Sequence, residues 1–225
     1  MSRPLIVAGL ALCAAGLAVA ATLPGAVALA VLLGAFGVLA GVVAWLEAAP
    51  GYAKEIVVVA TLSGVASVAH VVLHPLPGVQ PVTLIVVATG AALGARAGAA
   101  VGATTALVSN FALGQGPWTL WQMLGWSACG VIGAALPPLL RRRALFAITL
   151  GILGLAFSAF MDVWNWTAYY EQHTWATFTA NLARGFPFDV AHAIGNVLFA
   201  LAAGPELRRL LERFGRRLRT EVVWA

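Results

Sequence analysis

Two short runs of polar side chains are spaced to share a helix face. Asp189, His192 and Asn196 stand three and four residues apart, and His70 and His74 are one helical turn apart. A carboxylate beside an imidazole is equipped for acid–base work. A hydrogen bond to a neighbouring helix explains either histidine pair equally well. No third ligand of suitable spacing accompanies them, so a metal site is not expected.

A second group, Asn110, Gln115, Thr119 and Gln122, supplies neutral donors and acceptors around Trp118 and Trp121. Gln80, Trp164 and Asn165 add amides and a ring in other connections. Aromatic faces stack on heterocycles, and amides read ring heteroatoms without desolvating a bare charge. The pattern suits an uncharged or planar ligand. Catalysis has little support, because HExxH, GxSxG and a Gly-rich phosphate loop ending in Lys and Ser or Thr are all missing. The chain therefore hydrolyses no ATP of its own.

The elements that position these residues are set by composition. With 61% hydrophobic and 9% charged residues in 225, there is too little polar surface to coat a soluble globule. An all-α membrane protein is expected, with eight spans near 4–22, 25–46, 55–73, 82–95, 97–112, 123–140, 144–161 and 188–204. The fourth and fifth are short and form a tight hairpin around Gly94 and Gly98, with Arg96 at its tip. A long connection, 162–187, precedes the eighth.

Starting with the N-terminus inside, twelve of thirteen cations fall on one face: Arg3, Lys54, Arg96, Arg141 to Arg143 and six tail arginines from Arg208 to Arg219. Only Arg184 lies outside. Basic residues mark the cytoplasmic side, so both termini are expected in the cytoplasm of a multi-pass protein of the cell membrane. The net charge of +5 is then a topology signal and not a nucleic-acid footprint. Arg3 followed by the apolar run 5–23 and Ala18-Val19-Ala20 raises the alternative of a cleaved leader, which the length of the run disfavours.

Five of eight tryptophans, Trp118, Trp121, Trp164, Trp166 and Trp175, sit in or beside outer connections, where an interfacial aromatic belt is the plainer explanation. Cys13 and Cys129 lie in separate apolar segments and read as small hydrophobes. Small residues recur every four positions, as in Gly37/Gly41, Ala60/Gly64 and Gly90/Gly94/Gly98/Gly102, and permit close helix approach. The tail from Arg208 to Arg219, with Leu207, Leu210, Leu211, Phe214 and Leu218 on one side, suits an inner-surface helix on anionic lipid.

From Lys54 to Gly204 the chain resembles the substrate-binding S components of energy-coupling factor (ECF) vitamin transporters. The residues that carry the likeness are the Ala60/Gly64 helix, Pro77-Gly78-Val79-Gln80-Pro81, Gly90-Ala91-Ala92-Leu93-Gly94, Ser109-Asn110-Phe111 running into Gly114-Gln115-Gly116-Pro117-Trp118-Thr119, the Arg141 triplet, and Phe188-Asp189-Val190-Ala191-His192-Ala193-Ile194-Gly195-Asn196. The resemblance implies a six-helix binding core at 51–205, preceded by a hairpin at 1–50 and followed by a basic tail at 206–225. It implies no catalysis and no cofactor, with capture of a vitamin or related micronutrient at the external face by His74, Gln80, Asn110, Gln115, Trp118, Thr119, Trp121, Gln122, Trp164, Asn165, Asp189, His192 and Asn196. Cobalamin is the ligand the motifs favour, with riboflavin or a queuosine precursor next. The implied partners are a transmembrane coupling protein, met by Ala60, Gly64 and Ser67, and two cytoplasmic ATPase subunits.

Two other classes stay open. One is a solitary permease for a small aromatic nutrient, proton-coupled through Asp162, Asp189 or His192. The other is a membrane enzyme or assembly factor using Asp189 and His192, which lacks a nucleophile.

Overall fold

The computed structural model describes residues 2–22, 26–47 and 52–219. Among them are eight α-helices and no strand: α1 (Ser2–Thr22), α2 (Val27–Glu47), α3 (Tyr52–Leu73), α4 (Val82–Leu93), α5 (Ala95–Leu113), α6 (Trp118–Ala135), α7 (Arg143–Tyr169) and α8 (Trp175–Arg219). Three of them, α3, α7 and α8, are long and apolar enough to cross a membrane. The basic tail expected as a separate segment from residue 206 continues α8 through Arg219.

The shortest helix is the centre. Every residue of α4 from Val82 to Gly90 is buried, and α4 packs against α5, α6 and α8. At 1.5 Å per residue a helix this short reaches only about 18 Å, so its surroundings are protein and not lipid. The junction with α5 is the single residue Gly94, at φ 100°, a conformation open to glycine and strained for other residues. Arg96 is not at the tip of that hairpin. It lies in the first turn of α5 and reaches Glu55 of α3 at 3.9 Å.

Close approach of α4, α5 and α6 rests on small residues. A Cβ added to Gly130 would lie 2.4 Å from the carbonyl carbon of Gly98, and one added to Gly90 only 1.9 Å from the Gly130 oxygen. Backbones this near gain dispersion contacts that any side chain would forbid. Trp126, Met123, Phe146 and Leu150 fill the remaining space and are fully buried. Around this core, Val57, Val65, Val68, Val72, Ile148, Ile152 and Leu198 face outward, an apolar exterior that hydrocarbon tolerates and water does not.

Three segments differ from expectation. The sixth helix runs 118–135 instead of 123–140, because it starts directly after Pro117 and stops before Pro137 and Pro138, whose rings and missing N–H groups cannot extend a helical ladder. The seventh continues past residue 161 to Tyr169, and the eighth begins at Trp175 instead of 188. The connection expected at 162–187 is thus mostly helix. Its polar and aromatic side chains are held in helical register by packing of α7 along α8, which hydropathy does not register.

Candidate functional site

The turn before α4 is fastened to α8 by one histidine. Gly78, at φ 75°, turns its carbonyl to His192 Nδ1 at 2.6 Å, and a Cβ there would lie 2.8 Å from the Phe188 oxygen. A nitrogen facing a carbonyl must carry the proton, so Nδ1 donates. Nε2 then accepts from Asn196 Nδ2 at 3.2 Å, and the ring is neutral with both nitrogens engaged. Phe157 of α7 lies 5.6 Å from that ring and stacks on Trp126 at 4.9 Å. Trp126 in turn meets the edge of His70 at 5.3 Å, and His70 Nδ1 is 3.0 Å from Ser109 Oγ. A column of four rings joins α3, α6, α7 and α8.

Above Phe157 the antiparallel α7 and α8 separate to leave a cavity of about 280 Å³, walled by Gly78, Gln80, Trp164, Asn165, Asp189 and His192 among others. A second compartment, of about 400 Å³, shares Asp162, Asn165 and Phe188 with it and adds Tyr169, Tyr170, Asn181 and Arg184. Asp162 stands between the two. Its side chain is only 9% exposed, its Oδ2 receives no hydrogen bond from an amide, hydroxyl or basic group, and the Asp189 carboxyl lies beside it. Room for it is made at Gly185, where a Cβ would lie 2.7 Å from Oδ1. Asn181 fixes the local backbone by donating to the Asp162 carbonyl at 2.9 Å, and Asn165 donates to Asn181 Oδ1 at 2.6 Å.

Among the described residues no basic side chain forms an ion pair with Asp162 or Asp189. His192 offers no charge, since its two nitrogens are occupied as above. The first cavity is therefore acidic, amide-lined and ringed, and the second compartment adds Arg184. It suits a flat heterocycle whose edge donates hydrogen bonds.

The sequence candidates divide into three sets. Gln80, Trp164, Asn165, Asp189 and His192 line the cavity, and Asn196 lies buried beneath His192. Asn110, Gln115, Thr119 and Gln122 satisfy one another at the α5–α6 corner. Asn110 Nδ2 donates to Thr119 Oγ1 at 3.0 Å and Gln122 Oε1 at 2.7 Å, Thr119 Oγ1 to Gln115 Oε1 at 2.9 Å, and Gln115 Nε2 to the Leu107 carbonyl at 2.8 Å. In this conformation they brace a turn. Trp118 links that corner to the cavity through an edge contact with Trp164 at 5.9 Å, while Trp121 packs on Phe160 at 4.8 Å. His74 is exposed in the turn after α3 and lines neither compartment.

On α3, Ala60 and Gly64 are exposed, and nothing lies within 4 Å of a Cβ built on Gly64. Ser67 is turned inward instead, toward the Thr105 carbonyl at 3.4 Å. The cavity also uses Phe157, Ser158, Met161 and Phe188, and the second compartment uses Asn181, none of them a candidate from the sequence. Their signal was present as the 158/161/162/165 and 181/185/188/189/192 spacings, each one face of a helix continued into 162–187.

Against protein-family models, curated proteins and solved structures, the chain has no significant match.

Proposed function

We propose that the chain is the substrate-capture component of an ECF-type vitamin importer, binding its nutrient between α7, α8 and the Gly78 turn. The observation that supports this reading is Asp162, a buried carboxyl beside a ring-lined cavity that has the Asp189 carboxyl as its neighbour and receives no hydrogen bond at Oδ2 from an amide, hydroxyl or basic group. A polar group left so in an apolar setting is costly, and a ligand donor removes the cost. The motif resemblance supports the family, and the cavity is consistent with a place for its ligand. Each compartment is near the lower end of small-molecule sites, which favours a flavin- or deazapurine-sized heterocycle over the corrinoid that the motifs rank first.

In this reading the eight helices form one membrane-embedded bundle with α4 enclosed at its centre, both termini are cytoplasmic by the distribution of basic residues, and the cavity opens outside. The exposed face of α3 around Ala60 and Gly64 meets the coupling protein, which works with two ATPase subunits.

Titration of the purified chain with riboflavin and with cobalamin, together with recovery of partners from native membranes, tests it. Riboflavin binding with a coupling subunit in the eluate is the expected result. Failure of both ligands to bind, with no coupling subunit recovered, overturns the assignment. Gly64→Leu is expected to spare ligand capture and reduce uptake, and normal uptake in that variant removes the docking role.

The pairing of Asp162 with a second cavity carboxylate, Asp189, also favours a proton-coupled permease. Uptake by vesicles holding this chain alone, driven by a pH gradient, selects that reading over the first.

A further inference from the structure

At the opposite end of α7 and α8 lies a second polar pocket, of about 430 Å³, bounded by Arg141, Arg143, Pro205, Glu206, Arg208, Arg209 and Glu212. Pro205 organises it. Lacking an N–H, it releases the carbonyl of Leu201 one turn earlier, and Arg143 Nη1 takes that oxygen. Arg143 also pairs with Glu206, which receives Arg209 at 3.1 Å as well, while Arg208 pairs with Glu212.

Both carboxylates are thereby engaged, yet four guanidinium groups face them. Two positive charges are left over. Arg141 has no ion-pair partner among the described residues. Arg208 is only 4% exposed, and its Nε–H has no acceptor. A buried guanidinium with an open donor costs free energy until an anion supplies the missing oxygen.

Position narrows the anion. Arg143 and Asp162 are nineteen residues apart on α7, and so are Asp189 and Arg208 on α8. At 1.5 Å per residue each separation is about 28 Å, close to the roughly 30 Å hydrocarbon thickness of a bilayer. With the carboxylate cavity at one headgroup level, the arginine pocket lies at the other. The fork of a guanidinium matches two phosphate oxygens, and basic pockets between membrane helices hold anionic headgroups.

We propose that Arg141, Arg143, Arg208 and Arg209 form a binding site for a phosphate group, supplied by the headgroup of an anionic phospholipid. The site is a pocket between the start of α7 and the 205–212 stretch of α8, and is separate from the basic face of the α8 terminus beyond it. It does not depend on which nutrient, if any, the other end binds.

Native mass spectrometry of the full chain with phosphatidylglycerol, phosphatidylcholine or inorganic phosphate tests it. The wild type is expected to retain one phosphatidylglycerol in preference to phosphatidylcholine. Arg141→Gln, at an exposed position that leaves the helices intact, is expected to cut that preference about fivefold. Arg208→Gln is expected to remove more, and circular dichroism checks that it folds. Arg213→Gln/Arg217→Gln, outside the pocket, is expected to keep the preference. Phosphate adducts that vanish in Arg141→Gln, without any lipid preference, assign the same site to free phosphate. No adduct preference in the wild type, or a preference lost only in the Arg213/Arg217 variant, overturns the proposal.

Discussion

At one end of the α7–α8 pair, two carboxylates without basic partners stand among rings and amides; at the other, four guanidiniums surround two carboxylates that are already paired. Both ends are made by the same two antiparallel helices, and each leaves one buried charged side chain with an unmet polar atom, Asp162 Oδ2 or Arg208 Nε. The difference lies in what surrounds the charge. Asp162 faces compartments with aromatic walls, which hold a flat organic ligand. Arg208 faces charged neighbours with little aromatic surface, which hold a compact anion. A polar atom left open marks a site at both ends, and the lining decides what the site holds.

The comparison breaks most readily at Gly185. Gly185→Val places methyl groups where the Asp162 carboxyl now sits, and overpacking of this size is expected to weaken riboflavin binding about a hundredfold. Titration of a variant with wild-type helicity checks this. Unchanged affinity would mean that Asp162 does not shape the ligand compartment.

Next is the fastening of the Gly78 turn. His192→Ala removes the donor to the Gly78 carbonyl and the acceptor of Asn196, and about tenfold weaker ligand binding is expected. Faster hydrogen exchange at residues 78–80 would accompany it; protection equal to wild type would show that the turn holds without His192.

Trp164→Ala deletes a cavity wall and the edge contact with Trp118, for an expected loss of about fivefold in affinity at constant expression. Trp118→Ala should weaken binding less, because Trp118 acts through Trp164. If the order of the two is reversed, the α5–α6 corner touches the ligand directly.

The smallest effect is expected at the far end. Glu206→Gln frees Arg143 and Arg209 from their carboxylate, so retention of phosphatidylglycerol rises while ligand affinity is unchanged. A shift in ligand affinity would show that the two ends are coupled through α7 and α8.

Much of the cavity was legible in the sequence, for one reason. Asp189, His192 and Asn196 recur at helical spacing in a chain poor in polar residues, and the structure sets all three at or under the cavity. Asn110, Gln115, Thr119 and Gln122 stood out by the same rarity, but residue type does not say whether an amide meets a ligand or another amide. Their mutual hydrogen bonds are fixed by the turn at Gly114 and are invisible before the chain folds. Gly185 was overlooked because its value is the absence of a side chain beside one carboxyl.

What the sequence determined alone was the helical class, most element positions, the apolar exterior and the crowding of basic residues near the chain's end. These follow from composition and short-range periodicity, which act within a few turns of one helix. Only the tertiary structure decided that α4 is the enclosed centre, that 162–187 is mostly helix, and that Asp162 and Arg208 each keep an open polar atom. Those outcomes depend on which helices lie side by side, and a pairing between residues far apart in the chain leaves no local pattern.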